Sequence, residues 1–134
     1  MFEARQGKEI VARLTNRTGL VFDIFKLISE KGVSILAACG GISGEEGVIR
    51  LVTDDNLRAI DALKESEYLA WEEDVILMEM PHKPGMLKRI AHALALEEID
   101  LRHLYATALA GQEKCLVVLR TSNDSHALLR LNNA

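Results

Sequence analysis

The sequence of 134 residues has few of the residue types on which disulfide-stapled folds and nucleic-acid sites depend. It contains two cysteines and two prolines, and aromatic residues make up 4% of the chain. Two cysteines are too few for the several disulfides that stabilise small secreted domains. So few aromatic side chains leave little surface on which nucleic-acid bases could stack. The chain carries 16 Lys and Arg against 20 Asp and Glu residues, and this mild acidity gives no long-range attraction to nucleic acid. We expect no nucleic-acid partner.

Long apolar runs are also missing, although 49% of the residues are apolar and can form a packed core. The uncharged run from Gly32 to Gly44 is too short and too rich in glycine to span a bilayer. The N-terminus lacks the basic start and apolar stretch of a secretory signal. We therefore expect a cytoplasmic protein without a membrane partner, in which Cys39 and Cys115 are reduced core residues.

The chain contains an internal repeat with a period of 66 residues. Segments that start at Lys8 and Asp74 align without a gap through Gly19 and Gly85. Apolar residues recur at every second position before each glycine, as in a strand with one buried face, and at every third or fourth position after it, as in an amphipathic helix. The residues predicted to face inward are Ile10, Ala12, Leu14, Leu20, Ile24, Leu27 and Ile28 in the first repeat, and Ile76, Met78, Met80, Met86, Ile90, Ala93 and Leu94 in the second.

Each repeat continues with a hairpin of two strands. Gly32 is suited to end the first helix, because a residue without Cβ takes the left-handed conformation at low cost. Glycine-rich segments supply the hairpin turns. The predicted strands are 33–39 and 47–52 around a turn at 40–44, and 99–106 and 114–119 around a turn at 110–112.

A second helix closes each repeat. In the first repeat it is predicted to begin near Asp55 or Asn56, since both are good N-caps. Its spacing turns Leu57, Ile60 and Leu63 inward. The counterpart begins between Ser122 and Ser125 and turns Leu128 and Leu131 inward.

The predicted order of elements is β-α-β-β-α in each repeat, with residues 68–71 as a fourth strand of the first. This is the split βαβ, ferredoxin-like plan, so we predict an α+β protein with two domains, 1–73 and 74–134, and antiparallel sheets with helices on one face. Only a helix fits after Thr121, so the second repeat lacks its last strand. Residues 75–80 would then form an apolar edge, and we predict that a strand of the other half or a partner chain covers it.

The turn between the first strand and helix of each repeat has the features of an anion site. Both turns, at residues 16–19 and 82–85, combine a polar residue, a base and a glycine. The first N–H groups of a helix have no intrahelical partner and lie at the positive end of its dipole, while glycine allows close approach of a ligand. Such a turn suits a small carboxylate. The alternative is a turn that only starts a helix, with its base facing solvent.

The sequence contains no recognisable catalytic constellation. The histidines are scattered over predicted turn, helix and strand, without a nucleophile and an orienting acid at a known spacing. Cysteine, histidine and acidic residues do not have metal-ligand spacing, and no GxxxxGK phosphate loop is present. We expect a protein that is not an enzyme and that uses no cofactor or metal. The four histidines are His82, His92, His103 and His126.

A strand that ends in a polar residue and is followed by an Arg-Pro-Gly-Leu turn and an amphipathic helix, all within a βαββαβ unit, resembles the ACT domain, a regulatory module of amino-acid metabolism. The resemblance covers nearly the whole chain as a tandem pair. The segment Lys83-Pro84-Gly85-Met86-Leu87 matches more closely than residues 16–20, which carry Thr18 where proline is usual. The resemblance implies domains that pair side by side, and with them a homodimer.

The resemblance also implies an amino-acid site where the turn of one domain meets the second strand of a neighbour. Many family members have Asp or Asn at the position of His82, where an oxygen receives the ammonium group of the ligand. His82 can accept only when its ring is neutral, so Asn16 makes the first site the better candidate. The positions implied are Asn16, Arg17, Thr18, Gly19 and Leu20 at the first turn, His82, Lys83, Gly85 and Met86 at the second, and the facing strand positions Leu36, Ala37, Ala38, Leu104 and Tyr105.

We therefore interpret the chain as a non-catalytic regulatory protein that binds an amino acid or a similar small carboxylate metabolite. Its ligand would act allosterically, by favouring one arrangement of the protein over another. The alternative is an interaction module with degenerate ligand sites, which associates with itself or with a separately encoded enzyme.

Overall fold

The structure is a computed structural model that describes residues 2–107 and 111–133. Ala110, the first residue of the second predicted hairpin turn, lies outside the described residues. The order of the elements confirms the predicted tandem ferredoxin-like fold. The elements are β1 (Glu3–Thr15), α1 (Leu20–Glu30), β2 (Ile35–Ser43), β3 (Glu46–Thr53), α2 (Asn56–Glu65), β4 (Leu69–Pro81), α3 (Met86–Leu96), β5 (Leu101–Thr107), β6 (Lys114–Thr121) and α4 (Asp124–Asn132).

The chain divides into two compact units. The first unit comprises residues 8–73, and the second comprises residues 74–133 together with residues 2–7. Strands β1 and β4 are each 13 residues long, and each belongs in part to one unit and in part to the other. The second unit is therefore discontinuous in sequence, because its first residues precede the first unit.

The first unit has the strand order β2-β3-β1-β4, in which β4 contributes residues 69–73. Strand β3 pairs antiparallel with both β2 and β1. The fourth strand predicted at 68–71 is thus present as the start of β4. Helices α1 and α2 pack on one face, and the predicted inward residues of β1 and α1 form the core; its fully buried members include Ile10, Ala12, Ile24, Ile28, Leu51, Ala59 and Leu63.

The second unit has the order β5-β6-β4-β1, and residues 3–7 of β1 lie where its missing fourth strand would be. The predicted covering of the edge at 75–80 by a strand from the other half is confirmed. Phe2 anchors this strand in the core of the unit. Asn132 fixes it further, because its side-chain amide donates to the Ala4 carbonyl oxygen and accepts from the Ala4 N–H, both at 2.9 Å.

The predicted helix ends are also present. Gly32 has φ +75° and follows Lys31, the C-cap of α1, as expected for a residue that ends a helix in the left-handed conformation. Asp55 is the N-cap of α2 and accepts a hydrogen bond from the Arg58 N–H, while Asn123 caps α4 in the same way. Within the described part of the chain, no helix has both the length and the apolar composition needed to cross a bilayer.

Two predictions about β2 are wrong. Residues 40–43, predicted as part of a turn, continue β2, because Gly44 and Glu45 alone turn the chain into β3. Cys39, predicted in the core, is exposed, whereas Cys115 is buried. The reason is a register shift between Ile35 and Ala37, which moves Cys39 to the sheet face opposite the helices.

Leu57 was predicted to face inward and is instead 67% exposed. The buried face of α2 is centred on Ala59 and Leu63. A residue two positions before Ala59 lies on the opposite side of a helix with 3.6 residues per turn, so the core cannot include Leu57.

Candidate functional site

A cavity of about 490 Å³ lies in the first unit between the β1–α1 turn and the strands β2 and β3. Its volume falls within the range of about 300–1,000 Å³ that is typical of small-molecule sites. The turn and the first residues of α1 form one side, and glycines of the two strands form much of the other. The lining residues are Asn16, Arg17, Gly19, Leu20, Val21, Phe22, Gly40, Gly41, Ile42, Gly47 and Ile49.

Gly19 gives the turn its shape. It has φ +84°, a left-handed conformation that strains any residue with a Cβ, and it directly precedes α1. The helix begins with the bond from the Asp23 N–H to the Gly19 carbonyl oxygen, at 3.1 Å. No side chain caps this N-terminus, so the N–H groups of Val21 and Phe22, two residues of the cavity wall, have no intrahelical partner.

The backbone of Asn16 ties the turn to the β2–β3 hairpin. Its N–H donates to the Glu45 carbonyl oxygen at 2.7 Å. This bond holds the polar side chain of Asn16 beside the end of the hairpin, where it lines the cavity. A carboxamide at this place offers one acceptor and two donors to a ligand.

Among the described residues that line the cavity, Arg17 alone has a cationic side chain, and its charge is already balanced. Its guanidinium is hydrogen-bonded to the Asp23 carboxylate and donates to the Tyr68 hydroxyl oxygen at 3.2 Å. The hydrogen bond to Asp23, and to a smaller extent the one to Tyr68, raises the pKa of Arg17 above its ordinary value, so the side chain stays charged. The positive potential left for a ligand therefore comes mainly from the start of α1.

The glycines of the strands create the space in the cavity. Gly40 and Gly47 do not have positive φ values, so their backbone conformation is open to other residues. A Cβ added at Gly40 would lie 3.7 Å from Ile49 Cγ1, on the cavity side of the sheet, and this is an ordinary contact. Glycine inside a strand is destabilising by about 0.5–1 kcal/mol and marks places where a ligand or another backbone approaches closely.

The cavity brings together four of the five residues predicted at the first turn. Asn16, Arg17, Gly19 and Leu20 line it, whereas Thr18 lies in the turn without lining it. The strand positions predicted at 36–38 lie further along β2. Leu36 is half exposed, Ala37 is buried beyond the register shift, and Ala38 lies on the cavity face one pleat away from Gly40.

Several lining residues were not predicted from the sequence, namely the strand glycines, Ile42, Ile49, Val21 and Phe22. Gly40 and Gly41 were predicted to lie in a turn, and they lie in β2. Several glycines between apolar strand residues are a signal for close approach of a ligand, and this signal was present in the sequence.

The corresponding turn of the second unit is shaped by Gly85, with φ +88°, and borders a cavity of about 310 Å³. Of the predicted residues, Lys83, Gly85 and Met86 line it; its other lining residues are Pro84, Lys88, Arg89 and His92. His82, Leu104 and Tyr105 do not line it. The cavity is thus bordered by the turn and α3, with no contribution from the described parts of β5 and β6.

In the described part of the second unit, residues with side chains stand at the positions of two strand glycines of the first cavity. Ala106 pairs with Val117 as Gly40 pairs with Ile49. Cys115 pairs with Met80 as Gly47 pairs with Leu14, and Cys115 is buried in the core. The two turns are alike in backbone, but within the described residues only the first faces glycines of the strands.

Over residues 8–131 the sequence matches the family described as "ACT domain pair", and the chain belongs to this family. Solved structures with similar folds include protein BT0572 from Bacteroides thetaiotaomicron, with a TM-score of 0.88 and 23% identity over 97% of this chain and 89% of that one. The ligand-free regulatory subunit of aspartate kinase from Thermus thermophilus gives a TM-score of 0.65 and 14% identity over 98% of this chain and 95% of that one. No curated protein shows significant sequence similarity to the chain.

Proposed function

We propose that this protein is a non-catalytic regulatory protein that binds an amino acid, or a similar small carboxylate, in the cavity of the first unit. The observation that carries the proposal is the meeting of an uncapped helix start with side-chain-free strand positions in one cavity. Membership of the ACT domain pair family supports it, as does the fold shared with a regulatory subunit of aspartate kinase.

The proposed ligand lies with its carboxylate on the N–H groups of Val21 and Phe22, at the positive end of α1. Its ammonium group faces the side-chain oxygen of Asn16. A zwitterion with no net charge suits this site because Arg17 and Asp23 already neutralise each other. Its side chain extends over Gly40.

Regulation follows if the ligand binds one arrangement of the protein more tightly than another. A ligand of about ten heavy atoms supplies micromolar to millimolar affinity, which suits the sensing of metabolite pools. The proposal includes a homodimer and a cytoplasmic location. The two unpaired cysteines are consistent with a reducing compartment.

Calorimetry of the full chain against the proteinogenic amino acids tests the proposal. We expect Gly19→Val to abolish the binding heat, because it closes the turn and strains a backbone with φ +84°. Gly85→Val is the matched control, since φ is +88° and the strain is the same, yet the residue lies in the other unit. Asn16→Ala should weaken binding roughly tenfold by removing a charge-assisted hydrogen bond.

Absence of both heat and thermal shift for every amino acid would contradict the proposal. Light scattering then distinguishes the alternative role. A dimer or larger assembly that is indifferent to all small metabolites would indicate an interaction module with degenerate sites.

A further inference from the structure

The wall of the first cavity beyond the turn consists of apolar side chains and glycines. Leu20, Val21 and Phe22 of α1 lie on one side, and Ile42 and Ile49 of the strands lie on the other. The polar lining side chains are Asn16 and Arg17, and both belong to the turn. The polar part of the site therefore belongs to the turn, and the apolar part belongs to α1, β2 and β3.

The side chains of the apolar wall are open to solvent. Phe22 is 68% exposed, Ile42 is 65% exposed and Val21 is 50% exposed. Large apolar side chains that cluster at the mouth of a cavity mark a surface that a ligand covers. Scattered exposure would need no explanation, but these three residues line one cavity.

The charges of the site disfavour a ligand with a charged side chain. Asp and Glu are absent from the described residues of the lining, so a basic ligand side chain finds no counter-ion among them. For an acidic ligand side chain, the cationic partner in the described lining is Arg17, whose guanidinium is already hydrogen-bonded to Asp23 and Tyr68. A polar or charged group placed against Phe22 and Ile42 would lose water without gaining a hydrogen bond.

We infer that the ligand is an amino acid with an apolar side chain of four or more carbons, from the size of leucine to that of phenylalanine. This inference rests on the proposed function and names the ligand class of that same cavity. The α-carboxylate occupies the start of α1, and the side chain lies over Gly40 between Phe22 and Ile42. The absence of a side chain at Gly40 provides the space that this ligand group fills.

The size requirement follows from the area that the side chain buries. Each buried methylene is worth about fourfold in affinity. Leucine has three more carbons than alanine, and the open mouth leaves part of its side chain in water. We therefore expect leucine to bind at least about tenfold more tightly than alanine.

Titration calorimetry of the full chain with leucine, phenylalanine, alanine, threonine, lysine and aspartate tests the inference. We expect measurable binding of leucine or phenylalanine and at least about tenfold weaker binding of the other four. Tighter binding of threonine, lysine or aspartate overturns the apolar class while the proposed amino-acid function stands. Absence of binding by all six and by the remaining amino acids overturns the proposed function as well.

Two pairs of variants locate the ligand. Phe22→Ser should weaken leucine binding at least about fivefold, as expected when a buried apolar contact of more than one methylene is lost. Leu57→Ser should leave binding unchanged, because Leu57 is 67% exposed on α2 of the same unit and does not line the cavity.

Gly40→Val should abolish leucine binding by filling the cavity beside Ile49. Ala106→Val is its control, because Ala106 is the exposed equivalent of Gly40 on β5 of the second unit, pairs with Val117 and does not line the first cavity. Leucine binding that survives both Phe22→Ser and Gly40→Val places the ligand elsewhere and overturns the inference. The inference is also overturned if the protein binds no amino acid and Phe22→Ser dissociates a dimer of it. The apolar wall is then an interface between copies.

Discussion

At the scale of single residues, the two repeats end their first helices with the same left-handed backbone conformation but with different residues, a glycine and a glutamate. Gly32 follows α1 with φ +75°, and Glu98 follows α3 with φ +56°. The chain then closes in the same way, since the Val33 N–H donates to the Ile28 carbonyl oxygen and the Ile99 N–H donates to that of Leu94. The left-handed conformation costs a residue with a Cβ roughly 1–2 kcal/mol and costs glycine little.

We therefore expect Glu98→Gly to raise the free energy of unfolding by about 0.5–1 kcal/mol. The relief of backbone strain exceeds the entropy that glycine adds to the unfolded chain. The reciprocal change, Gly32→Glu, should lower the free energy of unfolding by about 1 kcal/mol. Urea denaturation of both variants measures this, and a loss of stability in Glu98→Gly would show that the backbone at this position is not strained.

At the scale of elements, residues 3–7 form a strand that no pattern in the sequence announces. The segment Glu3-Ala4-Arg5-Gln6-Gly7 has no apolar alternation. It is a strand because β4 presents an apolar edge in this unit, whose other described strands are β4 itself, β5 and β6. The sequence showed that this edge must be covered, but only the folded chain identifies what covers it.

Gly7 permits this strand to pack. A Cβ added there would lie 2.8 Å from Leu77 Cγ, which is closer than real contacts allow. We expect Gly7→Ala to lower the free energy of unfolding by about 1–3 kcal/mol through overpacking and to speed amide exchange in residues 3–6. Gly41→Ala on β2 is the control, because nothing lies within 4 Å of its added Cβ. An equal effect of the two variants would mean that Leu77 accommodates the methyl group.

At the scale of the whole molecule, duplication has produced two units with the same fold and different candidate sites. The first unit keeps glycines where its strands face the turn, while the second has Ala106 and buried Cys115 at the equivalent positions. The first turn of α3 is also more basic than that of α1, since Lys88 and Arg89 stand where the first unit has Phe22 and Asp23. The units should therefore differ in ligand binding.

We expect calorimetry with an apolar amino acid to give one ligand per chain. The reason is that, in the part of the chain that the structure describes, only the first unit has a cavity between turn and strands that can hold an apolar side chain. Two equal sites per chain would contradict this prediction. So would a halved stoichiometry in Gly85→Val with binding otherwise intact, because that result would place a second ligand at the turn of the second unit.

The repeat, the order of helices and strands, the inward residues of α1 and α3, and the glycines that start and end helices could all be predicted from the sequence. These features depend on side-chain periodicity and on backbone conformation, which are local properties of the chain. Strand pairing in the folded protein is needed to show that residues 3–7 complete the second unit, that β2 runs through Gly40 to Ser43, and that its register shift turns Cys39 outward. The cavity belongs to the same category, because Asn16, Gly40 and Gly47 come together through pairing between strands distant in sequence, and no local pattern specifies such pairing.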